Sequence, residues 1–204
     1  LSGGLDPLEW IKRGIVDIVV AQSFSLTGPT DPTADLTTLV EASKGTECHI
    51  HGAINSGLDS DRLALPSIEM VRATACNYYE QGIDGIYLAH WFAYWPYKAE
   101  FYETLRELKH PDIMASKDKI YSVPTETGRQ PSPIAYAEHS KQLPSKLKKD
   151  ESVWIKFPVS DDLPRWDKVN RVHEVILRIL IMETTELDQL SFKLNGKELP
   201  ETLL

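Results

Sequence analysis

Gly82-Ile83-Asp84-Gly85-Ile86-Tyr87-Leu88-Ala89-His90-Trp91-Phe92 is the stretch on which the fold turns. Ile83, Ile86, Tyr87 and Leu88 make a nearly continuous apolar run, as in a parallel strand covered on both faces. Gly82 stands where a helix C-terminus calls for a residue free to adopt positive φ. Upstream, Ile68, Val71, Ala75 and Tyr78 recur at helical spacing behind Pro66-Ser67, with Ser67 as N-cap. Downstream the strand runs into His90, Trp91, Phe92, Tyr94, Trp95 and Tyr97. So many rings at one strand end need a core to bury them or a ligand to stack on.

The same junction occurs earlier. Asp6-Pro7 opens a helix that Gly14 ends, and Ile15-Val16-Asp17-Ile18-Val19-Val20-Ala21 follows as a strand. A polar loop with Gly28-Pro29 and Asp31-Pro32 leads to a helix carrying Leu36, Leu39 and Val40. Gly45 stops it before the strand Cys48-His49-Ile50-His51-Gly52-Ala53-Ile54. A further helix presents Phe101, Leu105 and Leu108 and ends at His110-Pro111. Strands alternating with helices predict parallel βαβ units with right-handed crossovers. Three units cannot close an eight-stranded barrel. They form either a small open sheet or the last part of a barrel whose earlier strands lie outside this sequence.

The pattern changes after Pro111. Residues 116–150 read as a linker, irregular from Glu126 to Pro144 with Gly128, Pro131 and Pro133. From 151 to 204 the period shortens to two. Val153, Ile155, Phe157 and Val159 alternate with Trp154, Lys156 and Pro158, and Leu190, Phe192 and Leu194 alternate again. Asn195-Gly196 is a hairpin turn. Val172 to Met182 is a long β-branched run read as a strand, with a helix as its rival. This part predicts a small antiparallel β-sandwich.

Composition bounds the function. Hydrophobic residues are 42% and charged residues 25%, as in an ordinary globular chain. The net charge of −8 argues against nucleic acid, whose partners are basic. No apolar run reaches the roughly 20 residues that span a bilayer. Two cysteines, Cys48 and Cys76, are too few for a disulfide framework and read as buried thiols. No GxGxxG, GxxxxGK[ST], paired CxxC or GxSxG pattern occurs, so nucleotide, zinc-ribbon and serine-hydrolase readings lack support and no cofactor is expected.

Trp10 with Gly14-Ile15-Val16-Asp17, and Ala75-Cys76-Asn77-Tyr78-Tyr79 leading to Gly82–Leu88, resemble the C-terminal part of a glycoside-hydrolase-like TIM barrel. A β-sandwich ending in Leu194-Asn195-Gly196-Lys197-Glu198-Leu199 is also common behind such barrels. The resemblance implies residues 1–115 as the last three βα units of a partial TIM-barrel-like segment, then the linker, then the sandwich. It implies a glycosidase-like hydrolase with carbohydrate as partner and a catalytic acid outside this chain.

A barrel site is built at the strand C-termini. That selects Gln22, Ser23, His51, Asn55, Asp59, His90, Trp91 and Trp95, and sets aside Asp17, Glu47 and Asp84 at the strand starts. Glycoside hydrolysis commonly uses two carboxyl groups. The resemblance makes the strand ending at Ile54 the seventh of the barrel and implies a Glu at its end, which His51-Gly52-Ala53-Ile54-Asn55 lacks; Asp59 or Asp61 in the following loop could serve instead, and Asp59, with His51, is the candidate for catalysis. Gln22, Asn55, His90, Trp91 and Trp95 are candidates for substrate binding. His49 and His51 alternate on one strand face and could share a metal ion; the alternative is a structural pair, and no metal is assigned. A non-catalytic carbohydrate- or protein-binding module, or a fragment that self-associates through open sheet edges, are the competing readings.

Overall fold

The computed structural model describes residues 5–22, 30–56, 66–91, 96–123, 142–143, 145–185 and 187–200. Each of the first three strands is introduced by a glycine-stopped helix. Helix α1 (Pro7–Lys12) is capped by Asp6, whose Oδ1 accepts the Glu9 N–H at 3.1 Å, and Gly14 follows at φ +62°. Strand β1 is Ile18–Ala21, α2 Thr37–Ser43, β2 His49–Asn55, α3 Ile68–Glu80 and β3 Gly85–Ala89. Gly45 and Gly82, after α2 and α3, also take positive φ, which a glycine adopts without steric cost. Helices α4 (Ala99–Glu107) and α5 (Pro111–Met114) complete this part.

The three strands are parallel, in the order β1-β2-β3. Val20 lies opposite His51, and His51 opposite Gly85; further along, Asn55 lies opposite Ala89. Alternation then sorts the side chains. Val19, Ala21, Ile50, Ile54, Ile86 and Leu88 join the core with Ile11, Val40, Val71, Ala75, Tyr78, Ile83 and Met114 from the helices and their junctions. Gly52 belongs to the same face, and a Cβ there would meet Tyr78 Cδ2 at 2.4 Å. So α3 rests directly on the backbone of β2. The opposite face carries Ile18, Val20 and Tyr87, which are 52%, 44% and 51% exposed. The apolar run predicts cover on both faces; the helices cover one, and the other is open at Ile18, Val20 and Tyr87 while its small Ala53 and Ala89 are buried. Sequential strand order with right-handed crossovers puts every crossover helix on the same side, which is the physical reason.

The long loop before α2 is held by side chains of α3. Tyr78 Oη donates to the Asp31 carbonyl at 2.7 Å, Asn77 Nδ2 to the Pro32 carbonyl at 2.9 Å, and Gln81 Nε2 to the Ala34 carbonyl at 3.0 Å. Thr30 and Asp31 are buried as a result. The loop has few ladder partners of its own, and α3 supplies them.

The chain divides into two compact units, Leu1–Asp162 and Leu163–Leu204. Residues 151–162, which the sequence groups with the sandwich, lie in the first. Val153–Val159 is no strand there. Instead the Pro158 carbonyl accepts from Asn77 Nδ2 at 3.0 Å, and the Ser160 N–H donates to Asn77 Oδ1 at 3.0 Å. Asp161 pairs with the buried Lys119 at 2.8 Å and accepts from Tyr121 Oη at 3.0 Å. Residues 158–161 thus form a strap pinned to α3 and to the segment after α5.

The second unit holds a short helix, α6 (Leu163–Asp167), and a hairpin of β4 (Lys193–Leu194) and β5 (Lys197–Glu198). Asn195 and Gly196 take φ +51° and +81°, the primed turn that this dipeptide predicts. Among the described residues no other strand forms between 163 and 200, so of the expected sandwich they show this hairpin alone. Val172–Met182 is neither strand nor helix, because no second ribbon lies beside it to satisfy its backbone.

Candidate functional site

Parallel strands end on one rim, and in open α/β sheets ligands bind outside the carboxyl ends. Gln22 directly follows β1, Asn55 ends β2, and His90 and Trp91 follow β3. The structure brings these side chains together. Asn55 Oδ1 accepts from Gln22 Nε2 at 2.9 Å and lies 3.4 Å from His90 Nδ1. The Asn55 carbonyl accepts from Thr30 Oγ1 at 2.6 Å, and Asn55 itself is buried. Ser56 Oγ donates to the His90 carbonyl at 2.7 Å. His90 is held at φ +63°, a left-handed conformation uncommon outside glycine and frequent at functional positions.

Trp91 is only 8% exposed, and its Nε1 donates to the Ile54 carbonyl at 3.1 Å. Its ring meets Phe101 at 5.7 Å, and Phe101 in turn stacks on Tyr97 at 4.1 Å and 15°. The indole is therefore a pin between β2, β3 and α4 more than an open stacking platform. An open depression of about 470 Å³ lies against this group, lined among others by Gln22, His90, Trp91, Tyr97 and Phe101. Thr30 and Phe101 escape sequence reasoning. A loop threonine carries no pattern, and Phe101 reads as ordinary helix core.

His51 does not share the rim. It lies four positions before Asn55, roughly 13 Å back along the strand at about 3.3 Å per residue, with its ring over Gly85 at 3.0 Å from where a Cβ would sit. Ser23, Asp59 and Trp95 lie outside the described residues. Asp84, on the opposite rim, is a staple. Its Oδ2 accepts the Ile50 N–H at 2.7 Å, and its Oδ1 is 3.5 Å from His49 Nδ1. Among the described residues no three His, Cys, Asp or Glu side chains gather as a metal would need. Nor is any helix among them long and apolar enough to cross a membrane.

The buried Arg72 and Glu107 are matched to each other. Arg72 makes a two-pronged contact with Glu107, Nε to Oε2 at 2.7 Å and Nη2 to Oε1 at 3.3 Å, and Lys117 adds a second cation. Burial alone would raise the Glu107 pKa, but the Arg72 and Lys117 hydrogen bonds and charges overcome it and hold it low. Cys76 is pushed up to about 11 by burial, which leaves its thiol protonated and unreactive at neutral pH.

The fold and rim together define a mixed α/β chain with a parallel three-stranded sheet and a cluster of amides, imidazole and rings at its strand ends. No protein-family model matches the chain, and no curated protein matches it either.

Proposed function

We propose that the strand-end rim binds a carbohydrate, as the substrate-binding part of a glycosidase-like hydrolase built on an arc of a (βα) barrel. One observation carries the reading: Gln22, Asn55 and His90, from three adjacent strand ends, meet at one amide oxygen beside a row of rings. Sugar hydroxyls both donate and accept. Two amides and an imidazole answer both roles without a net charge. Tyr97 and Phe101 offer apolar surface for the C–H face of a ring sugar. The arc is supported by the sequential parallel order with its helix-covered and bare faces, since a barrel's inner face is bare until the ring closes. The sandwich of the second part remains part of this proposal only as an architecture completed in a longer or assembled protein.

The hydrolytic step needs carboxyl groups, and among the described residues that line the depression there is none. Asp59 is the acid assigned within this chain, with any second carboxylate outside it. The lack of a lining carboxylate favours the second reading, a module that binds carbohydrate without cleaving it. Titration calorimetry against a glycan panel, run beside a reducing-sugar assay, separates the two. Binding that weakens in Asn55→Ala, with sugar release lost in Asp59→Asn, supports the hydrolase. Binding without release supports the module. No binding by any glycan overturns both.

A further inference from the structure

Val172–Met182 is an apolar run left in water. Val175, Ile176, Leu177, Ile179, Leu180 and Met182 are 66%, 58%, 45%, 49%, 87% and 75% exposed. Such contiguous apolar surface marks an interaction site. The run is rich in the β-branched residues that favour paired ribbons, holds no Pro or Gly, and makes no strand among the described residues. Two left-handed residues, Asn170 at φ +56° and Glu183 at φ +62°, bracket it.

We propose that this run is a dimerisation strand, pairing antiparallel with the same run of a second copy about a two-fold axis at Ile176. The charges select that occupant and that register. Within the run the only acid is Glu174 and the only base besides His173 is Arg178, two residues to either side of Ile176. With Ile176 opposite Ile176, Glu174 of each copy faces Arg178 of the other, which makes two cross-strand ion pairs around one Ile–Ile pair. Val175 then faces Leu177, and Val172 faces Leu180. The paired span is 171–181, which lies within the interval between the two left-handed residues. A two-fold antiparallel contact is isologous, so the surface must complement itself, and this sequence does. The wild-type pairing partly covers the exposed apolar side chains with cross-strand neighbours and gives partners to the backbone groups along one edge of each ribbon. The proposal is independent of the carbohydrate reading.

Sedimentation velocity of the full chain over a concentration series tests it, with wild type, two single charge variants and their double swap, and a cysteine variant adds a cross-linking readout. Wild type is expected to dimerise. Arg178→Glu and Glu174→Arg each turn two ion pairs into two like-charge pairs and should weaken dimerisation about tenfold. The double swap Glu174→Arg/Arg178→Glu restores opposite charges in the same register and should regain the wild-type constant. Ile176→Cys, which places two thiols on the axis, should give an interchain disulfide on mild oxidation. All three substituted residues, Glu174, Ile176 and Arg178, are exposed, so folding is not at stake. A monomeric wild type overturns the proposal. So does association that is indifferent to the single charge changes, and so does a double swap that stays weak.

Discussion

At the scale of single residues, Asn55 and His90 show how a strand end becomes a rim. Asn55 uses its side chain towards Gln22 and His90 and its carbonyl towards Thr30, so one buried residue ties two strand ends and a loop. His90 holds its ring there at the expense of a left-handed backbone, a strain on the order of 1 kcal/mol. His90→Gly should therefore leave the urea unfolding midpoint unchanged or slightly higher, while glycan affinity falls. His90→Ala keeps the strain and loses the ring, so both midpoint and affinity should drop. If the two variants move the midpoint alike, the backbone strain assigned to His90 is wrong. The residue scale was partly legible. Gln22, Asn55, His90 and Trp91 are selected by strand-end position alone. The sequence sets His51 among the strand-end residues; the strand runs from His49 to Asn55, so a histidine three residues into a seven-residue strand sits well below the mouth.

At the scale of elements, helix-to-strand contact is closest at Gly52, where the Tyr78 ring occupies the space of a side chain. Gly52→Ala should cost about 1–3 kcal/mol in chemical denaturation, because the ring of a fully buried tyrosine cannot retreat. Gly52→Ala combined with Tyr78→Leu should recover part of that loss. The ion group of α3 and α4 sets an acid limit. Glu107 titrates below the ordinary 4.5 of a glutamate, so its contribution is present above that value and is lost as pH falls through the lower, folded value. Wild type should lose stability steeply below about pH 4.5. Glu107→Gln should flatten that limb while lowering stability at pH 7 by about 3–5 kcal/mol, since Arg72 is left buried without its carboxylate. Thermal melts across pH 3–7 read both effects. Elements were the most legible level in the first unit, because Gly14, Gly45 and Gly82 mark each helix stop and a short apolar run follows each. They were least legible from 151 to 182. Alternation there reports which side chains are apolar, and says nothing of whether a neighbouring ribbon exists to pair with.

At the scale of the whole molecule, two units of unequal build share one chain. The first has a contiguous buried core from Ile11 to Met114. A chain ending at Asp162 should retain the strap and therefore unfold cooperatively, by circular dichroism, with a midpoint close to that of the full chain. A broad or absent transition would show that the first unit leans on the second. A chain ending before Pro158 should be less stable, because Asn77 would lose both strap partners and Lys119 its carboxylate. The strap was invisible in the sequence. A polar clasp between Asn77 and residues 81 and 83 positions later follows no periodicity.

That clasp also bears on how the protein is made. Asn77 leaves the ribosome long before Pro158 is translated, and at about 5–20 residues per second the 81 intervening residues take roughly 4–16 s. During that wait the outer surface of α3 has its buried amide and nearby thiol uncovered. A nascent chain paused in that interval is the form that a holding chaperone would be expected to capture.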